Sequence, residues 1–130
     1  MAAELGIQER RIGSVTILQL SGWLVVYEGE HAFRAHATAL TGAGHMNLLL
    51  DMSRLTSMDS AGVGVLVSML LHVTRRGGKL KLLKPTDRVV RVLEITRLLD
   101  TFEIFDREEA AVESFTPAPE GGTPQVAGGR

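Results

Sequence analysis

Asp59 and Ser60 stand immediately before a long apolar segment, Val63 to Val73, where a helix would begin. The first turn of a helix leaves backbone amides without intrahelical partners, so a hydroxyl or carboxylate there finds donors close by. A phosphoryl group on Ser60 would bring about −1.5 to −2 charges to the positive end of the helix dipole and need not unfold the domain. Around this pair, Asp51, Ser53, Thr56, Ser57 and Met58 lie in one stretch, Asn47 to Gly64. Asp51 and Asp59 are near in sequence, and a phosphate added on Ser60 would concentrate negative charge with them and repel an acidic partner surface or its nucleotide. Gly62 and Gly64 lack side chains and would let a partner's backbone approach the helix start. Ser57 and Thr56 are secondary candidates for modification, although polar turn residues of this kind also serve simply as loop formers. Likewise, Asp59 or Ser60 has a plain structural use as the N-cap of the helix.

Other chemistries fit the residues less well. Gly62 and Gly64 are followed by Val65 and Leu66 where a phosphate loop carries lysine and a hydroxyl, and Ser60 is not in a Gly-x-Ser-x-Gly elbow. His31, His36, His45 and His72 show no zinc-helix spacing. The expectation is therefore a non-enzyme with no catalytic residue, no metal site and no cofactor. With 14 basic and 15 acidic residues the net charge is −1, which argues against a surface built for nucleic acid or anionic lipid. Arg75 and Arg76 are better explained as cations at a helix C-terminus. No cysteine is present, and neither a signal peptide nor a membrane-spanning run is apparent, so a cytoplasmic protein is expected.

The elements that must position these residues follow from periodicity. A chain of 130 residues, 45% hydrophobic, builds one core. Leu5 to Arg10 and Val15 to Leu20 read as a β-hairpin turning through Ile12-Gly13-Ser14, the second strand ending at Ser21-Gly22. Trp23 to Tyr27 is apolar, and is either core packing or an exposed patch for a partner or a homodimer. Glu28 to Leu40 suits a helix, with acidic Glu28 and Glu30 in its first turn and Thr41 to Gly44 as its stop. Leu48 to Leu50 centres a buried strand over residues 47–51, followed by a polar loop carrying Asp51, Ser53, Thr56 and Ser57. The central helix spans about Asp59 or Ser60 to Arg76, ended by Gly77-Gly78. A strand over Lys79 to Lys84, a helix from Pro85-Thr86-Asp87, and a short strand over Phe102 to Phe105 follow. Asp106 and Glu109 are spaced as a capping box for a last helix reaching about Phe115. From Thr116 onward the apolar periodicity is lost, predicting a disordered tail over 116–130 after a domain over 1–115. The fold class expected is α/β: a mixed sheet of four to five strands, opening with the hairpin and packed by about four helices.

The series Asp51-Met52-Ser53 through Met58-Asp59-Ser60-Ala61-Gly62, with Leu20-Ser21-Gly22 before it and Lys79-Leu80-Lys81-Leu82 after it, resembles the STAS domain, specifically the bacterial anti-sigma factor antagonists. The resemblance spans about residues 5–115. It implies that Ser60, preceded by Asp59, is the phosphorylation site; the residues expected on the partner surface are Asp51, Ser53, Met58, Asp59, Ser60, Gly62 and Trp23. It implies as partner an anti-sigma factor that is also a serine kinase, bound by the unphosphorylated form and released on phosphorylation, with a serine phosphatase to reset the cycle. One departure stands out: family members that are kinase substrates resemble Gly-x-Leu-Asp after the second strand, whereas this chain reads Gly22-Trp23-Leu24-Val25. The alternative is a STAS scaffold or ligand-sensing module that does not switch and holds a protein or small anion at the same helix start.

Overall fold

The computed structural model describes residues 5–26 and 29–116, so Tyr27, Glu28 and the expected tail beyond Thr116 lie outside the described residues. In chain order the elements are β1 (Gly6–Ile12), β2 (Val15–Leu24), α1 (Glu30–Gly42), β3 (Asn47–Met58), α2 (Ser60–Thr74), β4 (Lys79–Leu83), α3 (Asp87–Ile95), a 3-10 turn (Leu99–Thr101), β5 (Ile104–Phe105) and α4 (Glu108–Glu113). One sheet holds the strands in the order β1-β2-β3-β4-β5. The first pair is antiparallel, and the following three pairs are parallel. The mixed α/β fold expected from periodicity is the one observed.

Alternation along the strands divides the core between the two faces of the sheet. Leu18, Leu20, Leu48, Leu50, Leu80 and Leu82 point to one side, where Phe33 of α1, Val63, Leu66 and Met69 of α2, and Val89 and Leu93 of α3 cover them. Val15, Ile17, Leu49 and Leu83 point to the other side, under Ala111 of α4 and Phe115. The three crossover helices thus share one face, as parallel connections of a single hand require. Along that face α2 packs against both α1 and α3, which makes it the central helix.

The largest departure from the sequence reading is β3, which runs on to Met58 through the residues expected to form a polar loop. Its register with β2 shifts between Gln19 and Ser21 and again between Gly22 and Trp23, and each shift places an extra residue on β3. These bulges space the buried residues Met52, Leu55 and Met58 three apart instead of two, so the stretch does not read as a strand. β2 runs on beside it to Leu24, past the expected end at Ser21-Gly22, and Gly22 takes a positive φ of 89° at the irregularity. The capping box expected from Asp106 and Glu109 is absent: the N-cap of α4 is Arg107, without a side-chain bond. Glu108 is turned instead to Arg10 on β1.

Candidate functional site

Asp59 is the N-cap of α2, and its carboxylate is used twice. The Gly62 amide donates to Oδ1 at 3.0 Å, closing the first turn of the helix. The Val26 amide donates to Oδ2 at 3.1 Å, so the same side chain fastens the segment after β2 to the start of α2. Ser60 is the first residue of the helix and is exposed. No Asp or Glu occupies the first turn of α2 itself, and the adjacent N-cap carboxylate, Asp59, is already engaged by two backbone amides.

The other expected site residues divide into those at this end of the sheet and those directed elsewhere. Thr56 is exposed and its hydroxyl donates to the Gly22 carbonyl at 3.0 Å, while Ser57 is half-buried as the cross-strand neighbour of Trp23. Trp23 is 43% exposed and Val26 equally so, with buried Leu24 between them, which settles the apolar cluster as partly a surface feature.

Three residues face the protein itself. A Cβ on Gly62 would stand 2.3 Å from the Leu24 carbonyl oxygen and 2.7 Å from Met58 Cγ, so this glycine lets α2 lie close on the sheet and is not open to a partner's backbone. At Gly64 nothing lies within 4 Å of such an atom, and the position is open. Met58 is buried as part of that same contact. Asp51 is 6% exposed on the sheet face covered by α4, and its Oδ1 accepts from the Ser53 amide at 3.0 Å and the Ser53 hydroxyl at 2.8 Å. The chain between Asp51 and Asp59 is strand and not loop; with its two bulges, residues 51–58 run alongside only five steps of β2, Gln19 to Leu24, so at about 3.3 Å per step Asp51 and Asp59 stand roughly 20 Å apart. The two carboxylates therefore do not share a site.

Sequence reasoning missed the arginines of α3. A groove of about 630 Å³ lies between the end of β3 and the start of α3, lined by Trp23, Ser53, Thr56, Ser57, Thr86 and Arg88 among others. A neighbouring hollow of about 370 Å³ is lined by Ser57, Met58, Arg88, Arg91 and Val92. The available signal was a pair of arginines at i and i+3 early in an amphipathic helix, but nothing local to α3 says that β3 extends to meet it. Among the described residues no group of acidic, histidine or cysteine side chains is arranged to hold a metal ion, and no helix is long and apolar enough to cross a membrane.

A family model described as the STAS domain matches residues 7–111. The chain belongs to the STAS domain family. A protein of Thermotoga neapolitana described as an anti-sigma factor antagonist homologue is 40% identical over 87 residues, 66% of this chain and 77% of that one. The crystal structure of a Thermotoga maritima protein described as an anti-sigma factor antagonist superposes with a TM-score of 0.78 at 28% identity, covering 84% of this chain and 93% of the other. SpoIIAA, an anti-sigma factor antagonist solved in its unphosphorylated form, superposes with a TM-score of 0.72 at 23% identity over 84% of this chain and 95% of its own, a likeness of fold. The anti-sigma factor antagonist role implied by the resemblance is thus the one under which the Thermotoga neapolitana relative is described.

Proposed function

We propose that this STAS domain is an anti-sigma factor antagonist that works by partner switching, with Ser60 as the switch. The unphosphorylated chain binds an anti-sigma factor that is also a serine kinase and thereby frees a sigma factor. Phosphorylation of Ser60 ends the complex, and a serine phosphatase restores it. The chain supplies a surface and a hydroxyl and does no chemistry of its own; the kinase brings the ATP. Its working place is the cytoplasm, with the transcription machinery.

The observation that carries this reading is the exposed Ser60 at the first position of α2, behind an Asp59 that is already occupied by the Gly62 and Val26 amides. A phosphate there adds about two negative charges to a surface without displacing any buried group, so the change is felt by the partner and not by the core. The partner surface on this reading comprises Ser60, the open position at Gly64, and the exposed Trp23 and Val26 at the end of β2. Apolar Trp23 and Val26 flank Val25, which stands where the resembled kinase substrates carry an acid, so this docking surface relies more on apolar contact and less on an ion pair.

The test is capture of partners by wild type, Ser60→Ala and Ser60→Asp, with mass spectrometry of the bound proteins and of residue 60. A serine kinase held by wild type and Ser60→Ala but not by Ser60→Asp, together with phosphate on wild-type Ser60, is the expected result. Equal capture by all three proteins and an unmodified Ser60 would leave the alternative of a scaffold that does not switch.

A further inference from the structure

Arg88 and Arg91 stand one helical turn apart on α3 and line the same hollow as Ser57. Among the described residues, Arg10, Arg11, Arg34 and Arg107 each reach a carboxylate, whereas Arg54, Arg75, Arg76, Arg88, Arg91 and Arg97 reach none; what sets Arg88 and Arg91 apart is that they line one hollow together. Asp87 lines the outer groove four residues before Arg91, and the two are not paired. The hydroxyls beside them are unequal. Thr56 donates to the Gly22 carbonyl and Thr86 to the Leu55 carbonyl at 3.3 Å, so both protons are committed to backbone. The Ser57 hydroxyl has no hydrogen-bond partner among the described residues. On the far side of Ser57, its cross-strand neighbour Trp23 presents an exposed indole to the groove that Arg88 also lines.

Two uncommitted guanidinium forks, a free hydroxyl and an aromatic wall call for a ligand that is doubly negative, tetrahedral at one end and flat at the other. A phosphoryl group meets the first part: its oxygens accept from both arginines and the hydroxyl, and its two charges are matched by two cations. The groove beside Trp23 has room for an organic body, since small-molecule sites fall at about 300 to 1,000 Å³.

We propose that Ser57, Arg88, Arg91 and Trp23 form a phosphate-monoester site at the junction of β3 and α3. The monoester has two sources: a free phosphorylated small molecule, or a phosphoserine at position 57 itself. In the second case a protein kinase transfers the γ-phosphoryl group of ATP to Ser57 Oγ; the Oγ–P bond forms as the bond to the β-phosphate oxygen breaks, ADP leaves, and the hydroxyl proton passes to solvent. The consequences differ from those at Ser60. A phosphate on the exposed helix start stays available to repel a partner, whereas one at Ser57 is taken up by Arg88 and Arg91 and ties β3 to α3.

Trp23 is the sole tryptophan of the chain, so its fluorescence reports the groove directly. Titration with phenyl phosphate is expected to give a saturable change, with binding weakened about 10-fold or more in an Arg88→Ala, Arg91→Ala double variant. Inorganic phosphate is expected to bind more weakly than phenyl phosphate, because it leaves the indole uncovered. Arg88→Lys with Arg91→Lys keeps the charges, and intermediate binding by that variant excludes a folding defect as the cause. In the second arm, phosphoserine is installed at position 57 during synthesis; a raised melting temperature that the double alanine variant abolishes assigns the covalent source. Saturable binding of phenyl phosphate without that rise assigns the free ester. Absence of both overturns the proposal. Ser60→Ala is expected to titrate as wild type does, so the switch at Ser60 and this site fail or stand separately.

Discussion

Gly62 and Gly64 sit two residues apart on α2 and meet opposite surroundings. Alanine at Gly62 would drive a methyl group into the Leu24 carbonyl and Met58, and the helix cannot move off the sheet without opening the core. Gly62→Ala is therefore expected to lower the unfolding free energy by about 1 to 3 kcal/mol, the usual cost of overpacking. Gly64→Ala meets open space and gains helix propensity, so it is expected to be neutral or stabilising by up to about 1 kcal/mol. Urea denaturation of the two variants checks the contrast. Asp59→Ala removes both the cap on Gly62 and the tie to Val26, and is expected to cost about 1 to 2 kcal/mol on the same measurement. Residues whose role is local were legible: an aspartate before a serine and an apolar run is cap chemistry, and Asp59 caps. The role of Gly62 was not, because the atoms that demand a glycine belong to β2 and to the end of β3.

Among the elements, α4 shows how a short helix is held in place. Six residues are too few for a helix to persist in water alone. Ala111 and Phe115 pack on the sheet, and two polar contacts fix the ends. At the start, Glu108 pairs with Arg10 of β1. That hydrogen bond holds the Glu108 carboxyl below its usual range. A carboxyl whose folded pKa lies below its unfolded value stabilises the fold at neutral pH, and the contribution is lost as pH falls through the folded pKa, so it fades below about pH 4.3. The side chains of Arg10 and Glu108 are 49% and 30% exposed, so solvent screening limits the effect to under about 1 kcal/mol. Glu108→Gln is expected to cost that much at pH 7 and to remove that part of the acid dependence, measured as the difference in urea midpoint between pH 7 and pH 3.5. At the other end Lys81, only 3% exposed, donates to the Ser114 carbonyl at 3.1 Å and hydroxyl at 2.9 Å and lies 4.7 Å from the centre of the Phe115 ring. Lys81→Met keeps the stem but loses the cap, and is expected to speed amide exchange in α4 selectively, by roughly 10-fold for about 1.4 kcal/mol of lost protection. The strand through Lys81 was legible, but a lysine turned inward was not, since its partners come from the far end of the chain. β3 was legible only to Asp51 for the reason its bulges supply: a stretch whose buried positions fall every third residue has the signature of neither a strand nor a helix.

At the scale of the whole molecule, the two faces of the sheet carry separate tasks. The helix start with Ser60, the end of β2 and the arginines of α3 cluster at one end of the face covered by three helices, while α4 closes the other face. A charge added at Ser60 should leave the fold intact: Ser60→Asp is expected to keep its urea midpoint within about 0.5 kcal/mol of wild type. A larger loss would mean that the switch acts by unfolding and not by repulsion. The α/β class and the helix order were legible because periodicity over ten or more residues outweighs local ambiguity; the groove was not, since it exists only where β3 and α3 meet. The strand order 1-2-3-4-5 has a further consequence. Every strand pairs with the one synthesised just before it, so no strand must wait for a later neighbour to be inserted between two earlier ones. The sheet can grow outward in step with the ribosome, each crossover helix laid down before the next strand arrives, and loop closure at each stage spans only a single crossover. Such a chain passes through few states with an unfilled gap in the sheet, the species from which misassembly starts.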